Sequence, residues 1–166
     1  MQYIVLAALL SACVLADVQP QYYSFSDEVG SGNGFPYSLK GQGKITAVRV
    51  WDVYGNYIAA FQFCYGYIWS PVVGRQYGLP QEMKLHDDES IIQISGKYSH
   101  FVQSVVFTTT KGRTLHAGQP SGKSFNMYAP VNSMSQLVAF SGRYQGYITS
   151  FQAHWGIPPS NSTALY

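Results

Sequence analysis

Apolar residues recur on alternate positions in three stretches of this chain. Phe61 and Phe63 flank Gln62, Val105 and Phe107 flank Val106, and Phe151 and Trp155 share the parity of Ala153. A period of two marks a strand with one buried face, so these residues are expected to face a common core. Each stretch follows another β-rich run across a turn. Ile45–Val53 leads through Asp52-Val53-Tyr54-Gly55-Asn56 into Tyr57–Tyr67, Ser90–Ser95 precedes Phe101–Thr110, and Leu137–Phe140 precedes Tyr147–Trp155. The pattern predicts three hairpins.

The hairpins are copies of one another. Tyr54–Phe63 reads Y-G-N-Y-I-A-A-F-Q-F, Tyr98–Phe107 reads Y-S-H-F-V-Q-S-V-V-F, and Tyr144–Ala153 reads Y-Q-G-Y-I-T-S-F-Q-A. Their starts lie 44 and 46 residues apart. Each opens with Tyr, has Tyr or Phe three residues on, then Ile or Val, then Ala or Ser two residues later. A period of this length marks one supersecondary unit used repeatedly. Further strands, in Asp17–Val29 and Thr114–His116, bring each unit to about four strands. The Tyr-x-x segments should then gather at one end of the fold.

Glycine punctuates the rest. Gly30-Ser31-Gly32-Asn33-Gly34 allows positive φ and close approach of backbone to a ligand, but lacks the Lys-Ser/Thr pair of a phosphate loop. Gly74–Leu79 reads as a loop and Lys111-Gly112-Arg113 as a turn. Asp87-Asp88-Glu89 reads as a solvated acidic turn, since a Ca²⁺ site needs more oxygen ligands than three adjacent acids offer.

Composition agrees with an all-β domain: 14 Tyr, 9 Phe and 16 Gly in 166 residues, with 11% charged. A net charge of +2 with no basic stripe gives no support for nucleic-acid binding. Residues 1–16 read as a signal peptide: Ile4–Leu15 is an apolar run too short to span a membrane, Val14-Leu15-Ala16 offers small residues before a cut, and Asp17 is the first charge. Without Cys13, Cys64 is left alone, on the strand parity of Gln62, as an unpaired and partly shielded thiol. No later apolar run suggests a transmembrane segment. Residues 17–156 then form the domain and 157–166 a loose tail, in which Asn161-Ser162-Thr163 is a glycosylation sequon.

No catalytic constellation is present. His86, His100, His116 and His154 have no metal-ligand spacing, and no motif selects a pair of acids. A non-enzymatic binder needing neither metal nor cofactor fits better. Aromatic rings stack on sugar faces, and fixed donors and acceptors meet sugar hydroxyls.

Several segments together resemble the jacalin-related lectins, and within them a vertebrate group associated with zymogen granules. They are Gly30-Ser31-Gly32, Ile45–Val50, Ile92–Tyr98, Thr110–Arg113, Ser121–Asn126, Phe140–Arg143 and His154-Trp155. The resemblance implies a β-prism I fold, three four-stranded Greek-key sheets around a pseudo-threefold axis. It also implies metal-free carbohydrate binding at one end of the prism.

The family's site combines a Gly-rich loop, a recognition loop and a binding loop of form Gly-x-x-x-Asp. By resemblance these map to Gly30–Gly34 (with Gly32, Asn33 and Gly34 facing ligand), to Lys97–Phe101 (with Lys97, Tyr98 and His100), and to Gln145, Gly146, Tyr147, Ile148 and Thr149. Here Gln145 stands for the family's Gly and Thr149 for its Asp, and the equivalents Ala59 and Gln103 restore no carboxylate. Replacing a charge-assisted acceptor by a neutral hydroxyl costs on the order of 1.5–3 kcal/mol, about ten- to a hundredfold in affinity.

The resemblance therefore leaves three readings: a secreted lectin with an altered or weakened monosaccharide site; a binder of sulfated glycans that packages secretory granules, at the granule membrane or matrix, through Lys40, Lys44, Lys97, Lys111, Arg113 and Arg143; or a protein-interaction module whose sugar site is dead.

Overall fold

The computed structural model describes residues 23–159. The signal sequence, Cys13, the Asn161 sequon and the end of the tail lie outside the described residues. Fourteen strands make up the described chain: β1 (Tyr23–Phe25), β2 (Val29–Gly30), β3 (Phe35–Leu39), β4 (Ile45–Asp52), β5 (Ile58–Tyr65), β6 (Ile68–Trp69), β7 (Val73–Gly74), β8 (Gln81–Lys84), β9 (Ile91–Tyr98), β10 (Val102–Thr109), β11 (Thr114–Gly118), β12 (Lys123–Tyr128), β13 (Gln136–Gln145) and β14 (Tyr147–Gly156). No helix occurs among the described residues.

The strands form three antiparallel sheets, each built on one of the expected hairpins. In the first unit β4 and β5 are flanked by β8 and by β6 and β7, which share one broken edge. In the second, β9 and β10 lie between β12 and β11. Both place the fourth strand beside the first, which is the Greek-key order. The third unit has the same four lanes, but the chain's two ends share it. The N-terminal β1 and β2 pair with β14, and β3 pairs with β13. This is the β-prism.

The core lies between the sheets, where alternation placed it. Phe61, Phe63, Val105, Phe107 and Phe151 are fully buried, and Trp155 nearly so. Rings from all three sheets meet there: Phe61 lies 5.3 Å from Phe140, 6.0 Å from Phe151 and 6.3 Å from Phe107. Offset and edge-on contacts of this kind add to the burial of area. Cys64 lies on the opposite parity, beside Trp69 and Ala47, and is free but buried.

Two details depart from the repeat as read. In the second and third units Tyr98 and Tyr144 pair with Val102 and Ile148 across three intervening residues, of which Gln145 and Tyr147 pair again in the third. In the first, Asp52 pairs with Ile58, so the tip is two residues longer. Tyr54 therefore does not match Tyr98 and Tyr144, which pack against the core. It stands out at φ 51° and 87% exposed. The acidic turn is not wholly solvated either. Glu89 is fully buried, and it accepts from Thr109 Oγ1 at 2.6 Å, from the His86 N–H at 3.0 Å and from Arg113 at 2.6 Å. Burial alone would raise its carboxyl, but these hydrogen bonds outweigh that and hold it at about 2.

Candidate functional site

Each return strand carries a one-residue bulge at the same place. Ala59, Gln103 and Thr149 have no partner across β4, β9 and β13. A bulge frees a carbonyl from the ladder, and each is taken by an incoming loop: Arg75 N–H to Ala59, Gln119 N–H to Gln103, and Ser31 N–H to Thr149, at 2.9–3.0 Å. Just before each donor stands a glycine of positive φ: Gly74, Gly118 and Gly30. A Cβ on any of them would come within about 2 Å of that same carbonyl. These glycines stand 44 residues apart in sequence, in step with the aromatic repeat.

The clamps draw three loops to the end where the hairpin tips lie. There Tyr57, Phe101 and Tyr147, the fourth residue of each copy, form one cluster. Tyr57 stacks on Phe101 at 4.9 Å and meets Tyr147 edge-on at 4.9 Å, and Phe101 lies 5.5 Å from Tyr147. Tyr77, from the first unit, shares a 2.8 Å hydrogen bond between hydroxyls with Tyr147. Tyr54 packs edge-on against Tyr77, and the Arg75 guanidinium lies 5.2 Å over the Tyr77 ring. The three Tyr-x-x segments do gather at one end.

The Gly-rich loop and the third hairpin tip meet at this end. Gly34 is pressed against the Tyr144 carbonyl, whereas Gly32 (φ 70°) and Gly146 (φ 73°) have open space where a side chain would be. Asn33, Gln145 and Gly146 are exposed and Tyr147 is half-buried. Ile148 and Thr149 are fully buried. The Thr149 hydroxyl donates to the Asn33 carbonyl, so it holds the loop down rather than facing solvent.

The recognition-loop candidates divide. His100 is exposed at its tip, edge-on to Phe101 at 4.6 Å. Tyr98 packs beside Phe125, and Lys97 donates to Ser124 Oγ at 3.0 Å from within β9. A carboxylate does stand at this end, that of Asp52, but it accepts from the Gly55 and Gly118 N–H groups and from Gln81 Nε2 at 2.8–3.1 Å. Among the described residues no group of three His, Cys, Asp or Glu is placed to hold a metal, and no helix is long and apolar enough to cross a membrane.

The six basic candidates are largely engaged. Lys111 and Arg113 form ion pairs with Asp88 and Glu89, both at 2.6 Å. Lys44 and Arg143 donate to the carbonyls of Asp87 and Gly34.

Three sheets in this order, with loops clamped at one end, define a β-prism of the lectin type. A Jacalin-like lectin domain matches residues 26–154, and the chain belongs to that family. Human zymogen granule membrane protein 16 is 40% identical over 95% of this chain and 96% of its own length. Rat prostatic spermine-binding protein is 30% identical over 70% of this chain and 42% of its own. Among solved structures, a prostate-specific WGA16 glycoprotein lectin superposes with a TM-score of 0.71 at 29% identity, covering 82% of this chain and all of the other. Artocarpin complexed with methyl-α-mannose shares the fold, with a TM-score of 0.70 at 20% identity over 84% and 99% of the two chains.

Proposed function

We propose that this protein is a secreted, metal-independent carbohydrate-binding lectin whose monosaccharide site is altered, with residues 17–156 as its binding domain. The observation that carries this reading is Thr149. It stands where the resemblance calls for aspartate, and its hydroxyl is buried against the Asn33 carbonyl. What remains there is the uncovered part of the half-buried Tyr147 ring, the Gln145 amide, Asn33 and the open backbone at Gly32 and Gly146. Backbone groups survive any substitution, so weak binding persists without a carboxylate. The apolar leader and the kinship with zymogen granule proteins support export through secretory granules. The packaging alternative gains nothing from the basic residues, since Lys111 and Arg113 are already paired.

The test is a glycan array on the mature protein, with and without chelator. Weak signals insensitive to chelator and reduced by Tyr147→Ala are expected. No retention of any glycan, even at millimolar sugar, would overturn the reading. Thr149→Asp alongside should strengthen binding and lower stability together. A carboxylate there would face the Asn33 carbonyl, acceptor against acceptor, and would have to push the loop outward to reach a sugar.

A further inference from the structure

A second site lies at the far end of the prism. The strands of the first unit run from the aromatic tips to an end formed by the residues before β4, the β5–β6 turn and the residues after β8. Between these segments is a cleft of about 430 Å³, lined by Lys44, Thr46, Tyr67, Leu85, His86 and Asp87, among others. Small-molecule sites span about 300–1,000 Å³, so it has room for one or two sugar rings.

The walls are held by the protein itself. Gly66, at φ 60°, donates its N–H to the Lys44 carbonyl at 3.2 Å, and its own carbonyl accepts from Thr46 Oγ1 at 2.7 Å. The turn is thus pinned from both sides, and it presents the fully exposed Tyr67 ring. Across the cleft the Lys44 ammonium donates to the Asp87 carbonyl at 2.5 Å, and the His86 N–H donates to Glu89 at 3.0 Å. The side chains of His86 and Asp87 stay exposed.

The chemistry is mixed in a way that suits one ligand class. Lys44 has three donors, of which one goes to the Asp87 carbonyl. His86 offers ring nitrogens and Asp87 a carboxylate, beside the open face of Tyr67. A sugar presents hydroxyls that both donate and accept, and an apolar face that stacks on a ring. One cation next to one anion disfavours sulfated or uronate ligands and leaves neutral ones.

We infer that the cleft beside Tyr67 is a binding site for a neutral mono- or disaccharide, separate from the one proposed at Tyr147. The inference shares with that reading only the ligand class. The same array, carrying neutral immobilised glycans, tests it with Tyr67→Ala, Asp87→Asn and Tyr147→Ala variants, each assayed well below its own melting temperature. Tyr67→Ala and Asp87→Asn should each weaken a set of signals about tenfold that Tyr147→Ala leaves in place. Signals abolished by Tyr147→Ala and unmoved by Tyr67→Ala would overturn the cleft and keep the tip site. Signals lost only on Tyr67→Ala would support the cleft and overturn the tip site. A wild-type protein that retains no glycan would overturn both.

Discussion

At the tip end, polar groups turn inward: Thr149 to Asn33, Asp52 to three N–H groups, and Tyr77 to Tyr147. At the opposite end the first two units differ from each other. The turn after β10 folds Lys111 and Arg113 onto Asp88 and Glu89. The corresponding turn after β5, Gly66-Tyr67, lifts an aromatic ring over an open cleft. Threefold symmetry of the backbone therefore does not impose threefold chemistry. The clamps repeat because each bulged strand frees a carbonyl in the same place. The outer turns repeat no such constraint, so their side chains have diverged.

The sharpest way to break this contrast is at the ion pair. Arg113→Met leaves the buried Glu89 carboxylate without its cation and should cost about 3 kcal/mol at neutral pH by denaturant unfolding. The Glu89 carboxylate, held down by its hydrogen bonds from Thr109, the His86 N–H and Arg113, also sets an acid limb. Glu89 titrates at about 2 in the folded protein against an ordinary 4.5, so the folded state binds fewer protons than the unfolded chain between those values. Its contribution is complete above about pH 4.5 and is lost as pH falls towards 2. Unfolding followed across that window should show wild-type stability falling and a flatter curve for Glu89→Gln.

Gly118→Ala and Gly55→Ala compare a clamp with an open turn. Both glycines have φ near 77°, but a Cβ at 118 meets the Gln103 carbonyl and one at 55 meets nothing. We expect about 3 kcal/mol for Gly118→Ala and about 1 kcal/mol for Gly55→Ala, read as melting temperatures. An equal cost at both sites would show that the clamps are dispensable. Smallest is Tyr147→Phe, which removes only the hydroxyl bond to Tyr77 and should cost about 0.5 kcal/mol while leaving the ring cluster intact.

Much of the architecture was legible because two periods overlie each other. Alternation picked out Phe61, Phe107 and Phe151 as inward, and the repeat gave the number of sheets. Tyr57, Phe101 and Tyr147 were visible as one recurrent position, and their meeting at one end follows from the threefold arrangement. Tyr54 misled because two extra tip residues shift the pairing while leaving the sequence match intact. Glu89 misled because neighbouring acids look alike until the Arg113 turn is folded onto one of them. At Thr149 the neutral hydroxyl is plain in the sequence, but its burial against the Asn33 carbonyl is not. It depends on where the Gly-rich loop comes to rest, more than a hundred residues away in sequence.

The third sheet has a consequence in time. The first two sheets are continuous runs of chain, from β4 to β8 and from β9 to β12, and each can close once its own residues have left the ribosome. The third needs β1 to β3 from the beginning and β13 and β14 from the end. Until synthesis reaches Trp155, the Gly-rich loop has no strand to rest on, and the edges of β1 to β3 have no ladder. The candidate sugar site at the hairpin tips is thus assembled only once β14 has been made, after the first two sheets have had time to close.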